Sequence, residues 1–177
     1  MTKYTSFKEI PRFISYGSYV VDISMDYLQG WIDDMTTDMR LEMNPDFQRG
    51  HVWTEEQQIK YVEFLLRGGI TGRDVYFNCP SWHINVKQGE YNDFVCVDGL
   101  QRITAVLQFI NNEIKVFGSY YREYTDRPDF IRHNLRIHVN DLKTRKEVLQ
   151  WYLEMNSGGT PHSSDELKRV QRLFDEC

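Results

Sequence analysis

The stretch Asp93–Ile110, DFVCVDGLQRITAVLQFI, contains the strand-to-helix junction around which the rest of the chain can be organised. Its first residues are mostly apolar and β-prone, which predicts a buried strand over Asp93–Val97. An Asp98-Gly99 turn follows directly. Apolar side chains then recur at the spacing of one helical face, at Ile103, Val106, Leu107 and Ile110. The stretch therefore predicts a strand, a tight turn and a helix in immediate succession.

The turn at this junction has the composition of a phosphate-binding site. Gly99 has no Cβ and can adopt a positive φ, so its backbone can come close to a ligand. The amides of Leu100, Gln101 and Arg102 would be free donors at the helix N-terminus, where the helix dipole also favours an anion. The guanidinium of Arg102 suits phosphate oxygens. The carboxylate of Asp98 could hold Mg²⁺ through water or orient an attacking hydroxyl.

The same residues also have a purely structural interpretation, in which Asp98 caps the helix and the turn binds nothing. Arg102 argues against this interpretation, because a cation in the first turn opposes the helix dipole by about 0.3–1 kcal/mol. An anion beside Arg102 would remove that penalty. The residues of the junction alone leave the two interpretations balanced.

The remaining segments predict an α+β fold. Apolar and polar alternation predicts strands over Tyr19–Ile23, Arg40–Met43, Asp74–Asn78, Ile114–Phe117 and Leu135–Val139, and a hairpin of Trp82–Val86 with Asp93–Val97. Further helices are predicted from Ser24 through Met35, from the Thr54–Gln57 capping box to Leu66, over Leu142–Met155, and from a Ser163-x-x-Glu166 cap to Phe174. We expect one domain over residues 1–177, with a core of about 15–140 and a helical tail of about 141–177.

Composition and charge limit the classes of function. The 177 residues are 41% hydrophobic, which suffices for a core, and they have a net charge of −5. Because DNA binding through phosphates needs a basic face, direct DNA binding is expected to be weak. The three cysteines are widely spaced and odd in number, which predicts reduced thiols rather than a disulfide framework. No apolar run resembles a signal core or a membrane span, so we expect a cytoplasmic protein without membrane contact.

Two further segments contain polar groups that could join the same site. In Asn44–Arg49 a proline fixes the chain just before the polar side chains of Gln48 and Arg49. Taken alone, this segment is a loop that packs a hydrophobic side chain against the domain before a capped helix. Asn156–Pro161 contains a glycine pair whose backbone amides could point at an anion. Its simpler interpretation is a helix C-cap followed by a new N-cap.

The three segments occur in an order that is typical of one protein family. The matching residues are Pro45-x-Phe47-Gln48-Arg49 with Trp53 and Gln57, then Val97-Asp98-Gly99-x-Gln101-Arg102, then Asn156-x-Gly158-Gly159-Thr160 with Ser163 and Glu166. In this order they resemble the N-terminal domain of GmrSD-type restriction enzymes, which belongs to the ParB/sulfiredoxin-like superfamily. The resemblance covers roughly residues 15–175, and the Asp-Gly-x-Gln-Arg element is its most specific part.

The resemblance implies a compact ParB/sulfiredoxin-like fold, with a mixed sheet, flanking helices and a helical C-terminal part. It implies binding of a nucleoside triphosphate with Mg²⁺, often with hydrolysis, in a restriction, phage-conflict or DNA-modification setting. The residues carried over as catalytic are Asp98, Gln101 and Arg102, with Asp98 also the candidate Mg²⁺ ligand. Those carried over as nucleotide-binding are Gln48, Arg49, Gly99, Leu100, Asn156 and Gly159.

Two departures from the family pattern bear on activity. The family motif usually has glutamine where this chain has Leu100, and if that glutamine positions water, hydrolysis would be slow or absent while binding persists. GmrSD-type enzymes also pair this domain with an HNH nuclease domain, and no such motif occurs here, so we do not expect this chain alone to cleave DNA. The expected function is NTP hydrolysis or phosphoryl transfer; the alternative is a non-catalytic nucleotide-sensing module that acts through a protein partner.

Overall fold

The computed structural model describes residues 3–11, 19–82, 93–129, 131–157 and 164–177. The strands are β1 (Tyr19–Ser24), β2 (Asp74–Asn78), β3 (Val95–Asp98) and β4 (Asn134–Asn140). The α-helices are α1 (Leu28–Met39), α2 (Glu55–Leu66), α3 (Leu100–Ile110), α4 (Arg145–Ser157) and α5 (Ser164–Asp175). One mixed sheet has the order β1-β4-β2-β3, in which β4 runs antiparallel to β1 and parallel to β2, and β2 runs antiparallel to β3. The predicted α+β class is confirmed.

The two faces of the sheet bury two separate clusters of side chains. Val75 and Cys96 point into the larger cluster, which α1, α2 and α3 cover. Val97 points the other way, into a smaller cluster that contains Leu149 of α4 and Val170 of α5. Because alternate residues of β3 are buried on opposite sides, this strand is enclosed by helices on both faces. Each buried aliphatic side chain contributes about 1.5–3 kcal/mol to the free energy of unfolding. Burial on both faces therefore holds β3 firmly in the sheet.

The β3–α3 junction follows the predicted order. β3 ends at Asp98, and α3 begins at Leu100 with Gly99 as its N-cap at φ 121°. Asp98 therefore does not cap the helix, which removes the simplest structural interpretation of that residue. A Cβ on Gly99 would lie 2.5 Å from Cγ1 of Val75 and 2.7 Å from its Cβ. Packing against β2, and not only the approach of a ligand, thus requires glycine at this position.

Several other predicted elements agree with the structure. The strands at β1, β2 and β4 and the helix α3 have nearly the predicted bounds. Thr54 and Gln57 form the predicted reciprocal capping box at the start of α2. The first strand of the predicted hairpin after Trp82, the turn of the hairpin and the cap residue Ser163 lie outside the described residues.

The predicted strand Arg40–Met43 is wrong. Arg40 ends α1 in the left-handed region at φ 58°, and only Glu42 forms an isolated bridge, with Val95. Leu41 is buried between two exposed neighbours. The alternation that suggested a strand is therefore the pattern of a loop that places one side chain in the core.

The predicted strand Ile114–Phe117 is also wrong. Val116 forms an isolated antiparallel bridge with Ser119, and the two residues exchange both backbone hydrogen bonds. Phe117 and Gly118 lie between them with φ of 50° and 81°. The segment consequently ends in a tight turn, and its two buried apolar residues, Ile114 and Val116, anchor it to the core.

Two predicted helix starts are displaced by side-chain contacts. α4 begins at Arg145 rather than Leu142, because the side-chain amide of Asn78 donates to the Leu142 carbonyl at 3.1 Å and accepts from its N–H at 2.8 Å. These two bonds hold Leu142 in an extended, strand-like pairing. Ser24 does not cap a helix with its side chain; its hydroxyl donates to Asp26 at 2.5 Å, and a short 3₁₀ turn precedes α1.

None of the helices within the described ranges is long and apolar enough to cross a membrane.

We expect Gly99→Ala to lower the free energy of unfolding by more than Gly118→Ala. Both glycines have a positive φ, at which alanine costs about 1 kcal/mol or more. Only at Gly99 would the new Cβ meet Val75, whereas no atom lies within 4 Å of the corresponding position at Gly118. Urea titration of both variants measures the difference. Equal losses, or no recovery when Val75→Ala is added to Gly99→Ala, would contradict the packing argument.

Candidate functional site

A cleft of about 340 Å³ opens beside the β3–α3 junction. Its walls are formed by the 48–53 loop, by the junction itself and by the last turns of α4. All the predicted site residues that fall in the described part of the chain line it, namely Gln48, Arg49, Asp98, Gly99, Leu100, Gln101, Arg102 and Asn156. Gly159, the remaining predicted residue, lies outside the described residues. The structure thus brings the three sequence segments together in one place.

Three other lining residues were not predicted to belong to the site: Trp53, Tyr152 and Met155. Trp53 packs against the larger cluster, and Tyr152 is buried in the smaller one. Tyr152, Met155 and Asn156 occupy i, i+3 and i+4 positions of α4. That spacing places the three side chains on one helix face. It could therefore have predicted that Tyr152 and Met155 line the site together with Asn156.

An ion pair between Asp98 and Arg102 lies at the base of α3. Nη2 of Arg102 donates to Oδ2 of Asp98 at 2.5 Å, and the two side chains are 21% and 39% exposed, respectively. The anion that the sequence argument required beside Arg102 is therefore supplied by the chain itself. Nε of Arg102 is buried and has no acceptor among the described residues. An unsatisfied buried donor costs about 1–3 kcal/mol, so the ligand-free guanidinium is incompletely paired.

The side-chain amide of Gln101 connects α3 to the 50–53 loop. Its Oε1 accepts from the N–H groups of Val52 at 2.9 Å and Trp53 at 3.0 Å, and its Nε2 donates to the Gly50 carbonyl at 2.6 Å. Both lone-pair directions of the oxygen are thereby occupied. This geometry indicates that Gln101 positions the cleft wall, and the catalytic role expected for it stays a prediction.

Gln48 makes a comparable contact on the other side of the loop. Its Nε2 donates to the carbonyls of Val97 at 2.8 Å and Cys96 at 3.1 Å. The loop is consequently fixed to the edge of β3 by one side chain and to α3 by another. Arg49, which follows Gln48, is exposed at the margin of the cleft.

A polar row on the sheet begins next to Asp98. Tyr76 pairs with Asp98 across β2 and β3, its ring stacks on His138 at 4.6 Å, and His138 bonds Asp74 at 2.6 Å. Burial raises the pKa of Tyr76, and the carboxylates of Asp74 and Asp98 raise it further, while Arg102 opposes them. The hydroxyl of Tyr76 is therefore protonated at neutral pH and cannot act as a base there.

Cys96 lies behind the junction and takes no part in the cleft surface. The side chain is fully buried in the larger cluster, and this burial raises the pKa of the Cys96 thiol above its usual range. A thiol must be deprotonated to act as a nucleophile. This environment disfavours a nucleophilic role for Cys96.

The described residues do not form a ready metal site. In these ranges no three or more His, Cys, Asp or Glu side chains come close enough together to hold a metal ion. Asp98 is the one carboxylate among the lining residues of the cleft. A metal ion at this position would need further oxygen ligands from a bound molecule and from water.

Comparison with protein families gave one match. A family model described as the N-terminal domain of the GmrSD restriction endonuclease matches residues 29–135. Neither the curated proteins nor the solved structures gave a match. The matched range contains the 48–53 loop and the β3–α3 junction but ends within β4, before the helix α4 that supplies Tyr152 and Asn156.

We expect Gln101→Ala to loosen the 50–53 loop. The substitution removes one donor and one acceptor that satisfy three backbone groups, which costs about 1–3 kcal/mol. Hydrogen exchange should accelerate at the amides of Val52 and Trp53. Gln108→Ala, on the same helix and without a described side-chain bond, is the matched control. Unchanged exchange at both amides in Gln101→Ala would contradict the positioning role.

Proposed function

Since the chain belongs to the family of the GmrSD restriction endonuclease N-terminal domain, we propose that its cleft binds and hydrolyses a Mg²⁺-bound nucleoside triphosphate. The family gives the chain a restriction or phage-conflict setting. The observation that carries the proposal is the Asp98–Arg102 pair, which lies in the cleft at the N-terminus of α3. A cation and a carboxylate beside a helix N-terminus are the groups that phosphate binding and phosphoryl transfer require.

Phosphate binding is supported first by the backbone. The amides of Gln101 and Arg102 belong to the first turn of α3, whose N–H groups have no intrahelical acceptor. The helix dipole adds a partial positive charge at the same end. Arg102 and Arg49 contribute two guanidinium groups to the cleft lining. Guanidinium groups bind phosphate oxygens by charge-assisted hydrogen bonds, which are about twice as strong as neutral ones.

The proposed hydrolysis requires Arg102 to exchange its partner Asp98 for a bound phosphate. The Asp98–Arg102 pair is partly exposed, and such pairs contribute about 1 kcal/mol or less. A bound phosphate can therefore take Arg102 from Asp98, and Nε of Arg102 gains the acceptor that it lacks without ligand. The Asp98 carboxylate is then free to orient a water molecule toward the terminal phosphorus and to accept its proton.

The residues present fit Mg²⁺ as an ion that arrives with the nucleotide. Mg²⁺ is commonly held by one or two carboxylates together with substrate phosphates and water. Asp98 would be the protein ligand, directly or through water. When bound, the ion neutralises charge on the terminal phosphates. Within the described ranges the cleft lining contains no second carboxylate that would hold the ion beforehand.

A non-catalytic nucleotide sensor is the second candidate. Two observations favour it: Leu100 stands where the family motif usually has glutamine, and the amide of Gln101 is occupied by the 50–53 backbone. Leu100 has no polar group to position water, and the side-chain oxygen of Gln101 is not available to accept a hydrogen bond from it. In this case the nucleotide would bind without turnover, and the bound form would act through a protein partner.

We expect ATP, CTP, GTP or UTP with Mg²⁺ to raise the melting temperature of the wild type, and Arg102→Ala to abolish the rise. Ligand at a hundredfold excess over its Kd stabilises by about 2.7 kcal/mol. Arg132→Ala, which removes an exposed arginine paired with Asp129 away from the cleft, is the matched control. Asp98→Asn should retain binding but lose phosphate release. If no nucleotide shifts the wild type, or if Arg102→Ala responds normally, nucleotide binding at this cleft is refuted.

We expect Leu100→Gln to increase phosphate release, because it restores the glutamine of the family motif. Leu100 is 9% exposed, so the polar substitution should also cost about 1–3 kcal/mol of stability. Leu107→Gln, partly buried on the same helix, is the control for that loss. A malachite-green phosphate assay compares the variants. Nucleotide affinity without product in both wild type and Leu100→Gln would favour the sensor over the hydrolase.

A further inference from the structure

An arginine of α5 makes contact with the backbone of the loop that leads into the cleft. The guanidinium of Arg169 donates to the carbonyls of Asp46, Phe47 and Gln48, the last two at 3.0 and 2.9 Å. These are three consecutive carbonyls that have no strand partner. A planar guanidinium with several N–H donors can satisfy such a group of acceptors, whereas a lysine ammonium acts as a point charge.

The same loop is held by two more contacts with the C-terminal helices. Arg145 at the start of α4 donates to both carboxylate oxygens of Asp46, at 2.8 and 2.7 Å. The ring of Phe47 is 2% exposed and lies in the smaller cluster together with Val170 of α5. The loop therefore rests on α4 and α5 through hydrogen bonds and through apolar burial.

Beyond these contacts, hydrogen bonds continue from the loop to the proposed phosphate site. Gln48 donates to the β3 carbonyls of Cys96 and Val97, immediately before Asp98. Gln101 then bonds the backbone of the 50–53 loop. A continuous network thus runs from α5 through residues 46–53 to the first turn of α3.

We propose that Arg169 is a positioning residue of the cleft, which holds Gln48 and Arg49 in place for the nucleotide and couples nucleotide binding to the docking of α5. The part of this inference that concerns nucleotide rests on the proposed function. α5 lies beyond the matched range 29–135, so the family match does not assign it a role. Because coupling between two sites is reciprocal, nucleotide in the cleft stabilises the docked α5 by the same factor by which docked α5 strengthens nucleotide binding.

The first experiment tests, without any nucleotide, whether Arg169 holds the loop in place. Hydrogen exchange of the full chain is compared in the wild type, Arg169→Ala, Arg169→Lys and Arg172→Ala. Arg172 is the matched control, because it is exposed on the same helix and its Nε donates only to the helix's own Lys168 carbonyl. We expect exchange over residues 48–53 to accelerate about tenfold or more in Arg169→Ala, less in Arg169→Lys, and not in Arg172→Ala.

Amides in the middle of α3 provide the internal reference for folding. If they remain protected in Arg169→Ala while the loop exchanges faster, the effect is local to the loop. If Arg169→Ala unfolds the whole chain, the milder Arg169→Lys decides, because it retains the charge and loses the planar group of donors. Unchanged exchange over residues 48–53 in both variants overturns the positioning role.

The second experiment adds Mg²⁺ and the nucleotide that shifts the wild type most. Calorimetry should show a Kd raised about tenfold in Arg169→Ala and unchanged in Arg172→Ala, with α5 protected by nucleotide in the wild type and in Arg172→Ala but not in Arg169→Ala. If the wild type binds no nucleotide but hydrogen exchange of its loop still depends on Arg169, the proposed function is wrong and the positioning role of Arg169 is retained. If nucleotide binds equally to the wild type and Arg169→Ala, the coupling fails and the proposed function stands.

Discussion

The close contact between the backbone of Gly99 and the side chain of Val75 determines the geometry of the site. It sets where β3 ends and at what angle α3 leaves the sheet, since no Cβ separates the turn from β2. With α3 fixed in this way, Arg102 returns one turn later to the carboxylate of Asp98, and Gln101 reaches the backbone of the 50–53 loop. A substitution that displaced the turn would disturb the ion pair and the cleft wall together, although it touches neither.

The cleft wall is stabilised by side chains where regular secondary structure is absent. The backbone of residues 46–53 has no complete strand or helix partners, yet its polar groups must be satisfied when they are shielded from water. Gln101 and Arg169 bond that backbone, and Gln48 anchors its own segment to β3. These three residues come from α3, α5 and the loop itself. The wall therefore rests on helices from both sides of the sheet, and residues outside the matched family range contribute to it.

The fold was predictable from the sequence wherever a local pattern had a local cause. The spacing of apolar residues in α3 and the capping box of α2 depend on residues close in sequence, and both predictions are confirmed. Arg40–Met43 and Ile114–Phe117 were mistaken for strands because a loop that buries one or two alternate side chains has the same alternation as a short strand. The segments of the site were predictable, but the contacts of Gly99 with Val75 and of Gln101 with Val52 were not. They join residues far apart in sequence, and no local pattern specifies them.

The internal pairing of Arg102 changes the argument that first suggested an anion site. A cation in the first turn of a helix opposes the dipole, and Asp98 removes most of that penalty before any ligand arrives. A phosphate must therefore compete with a carboxylate for the same guanidinium. Among the lining side chains Arg49 and Arg102 are positive and Asp98 is negative, which leaves a small positive surplus against the high charge of a triphosphate. In the proposed complex Arg102 would turn to the phosphate, and the charge of Asp98 would repel that phosphate unless a cation lay between them. The carboxylate that would weaken binding of a bare triphosphate is thus a physical reason to propose that the nucleotide binds together with Mg²⁺.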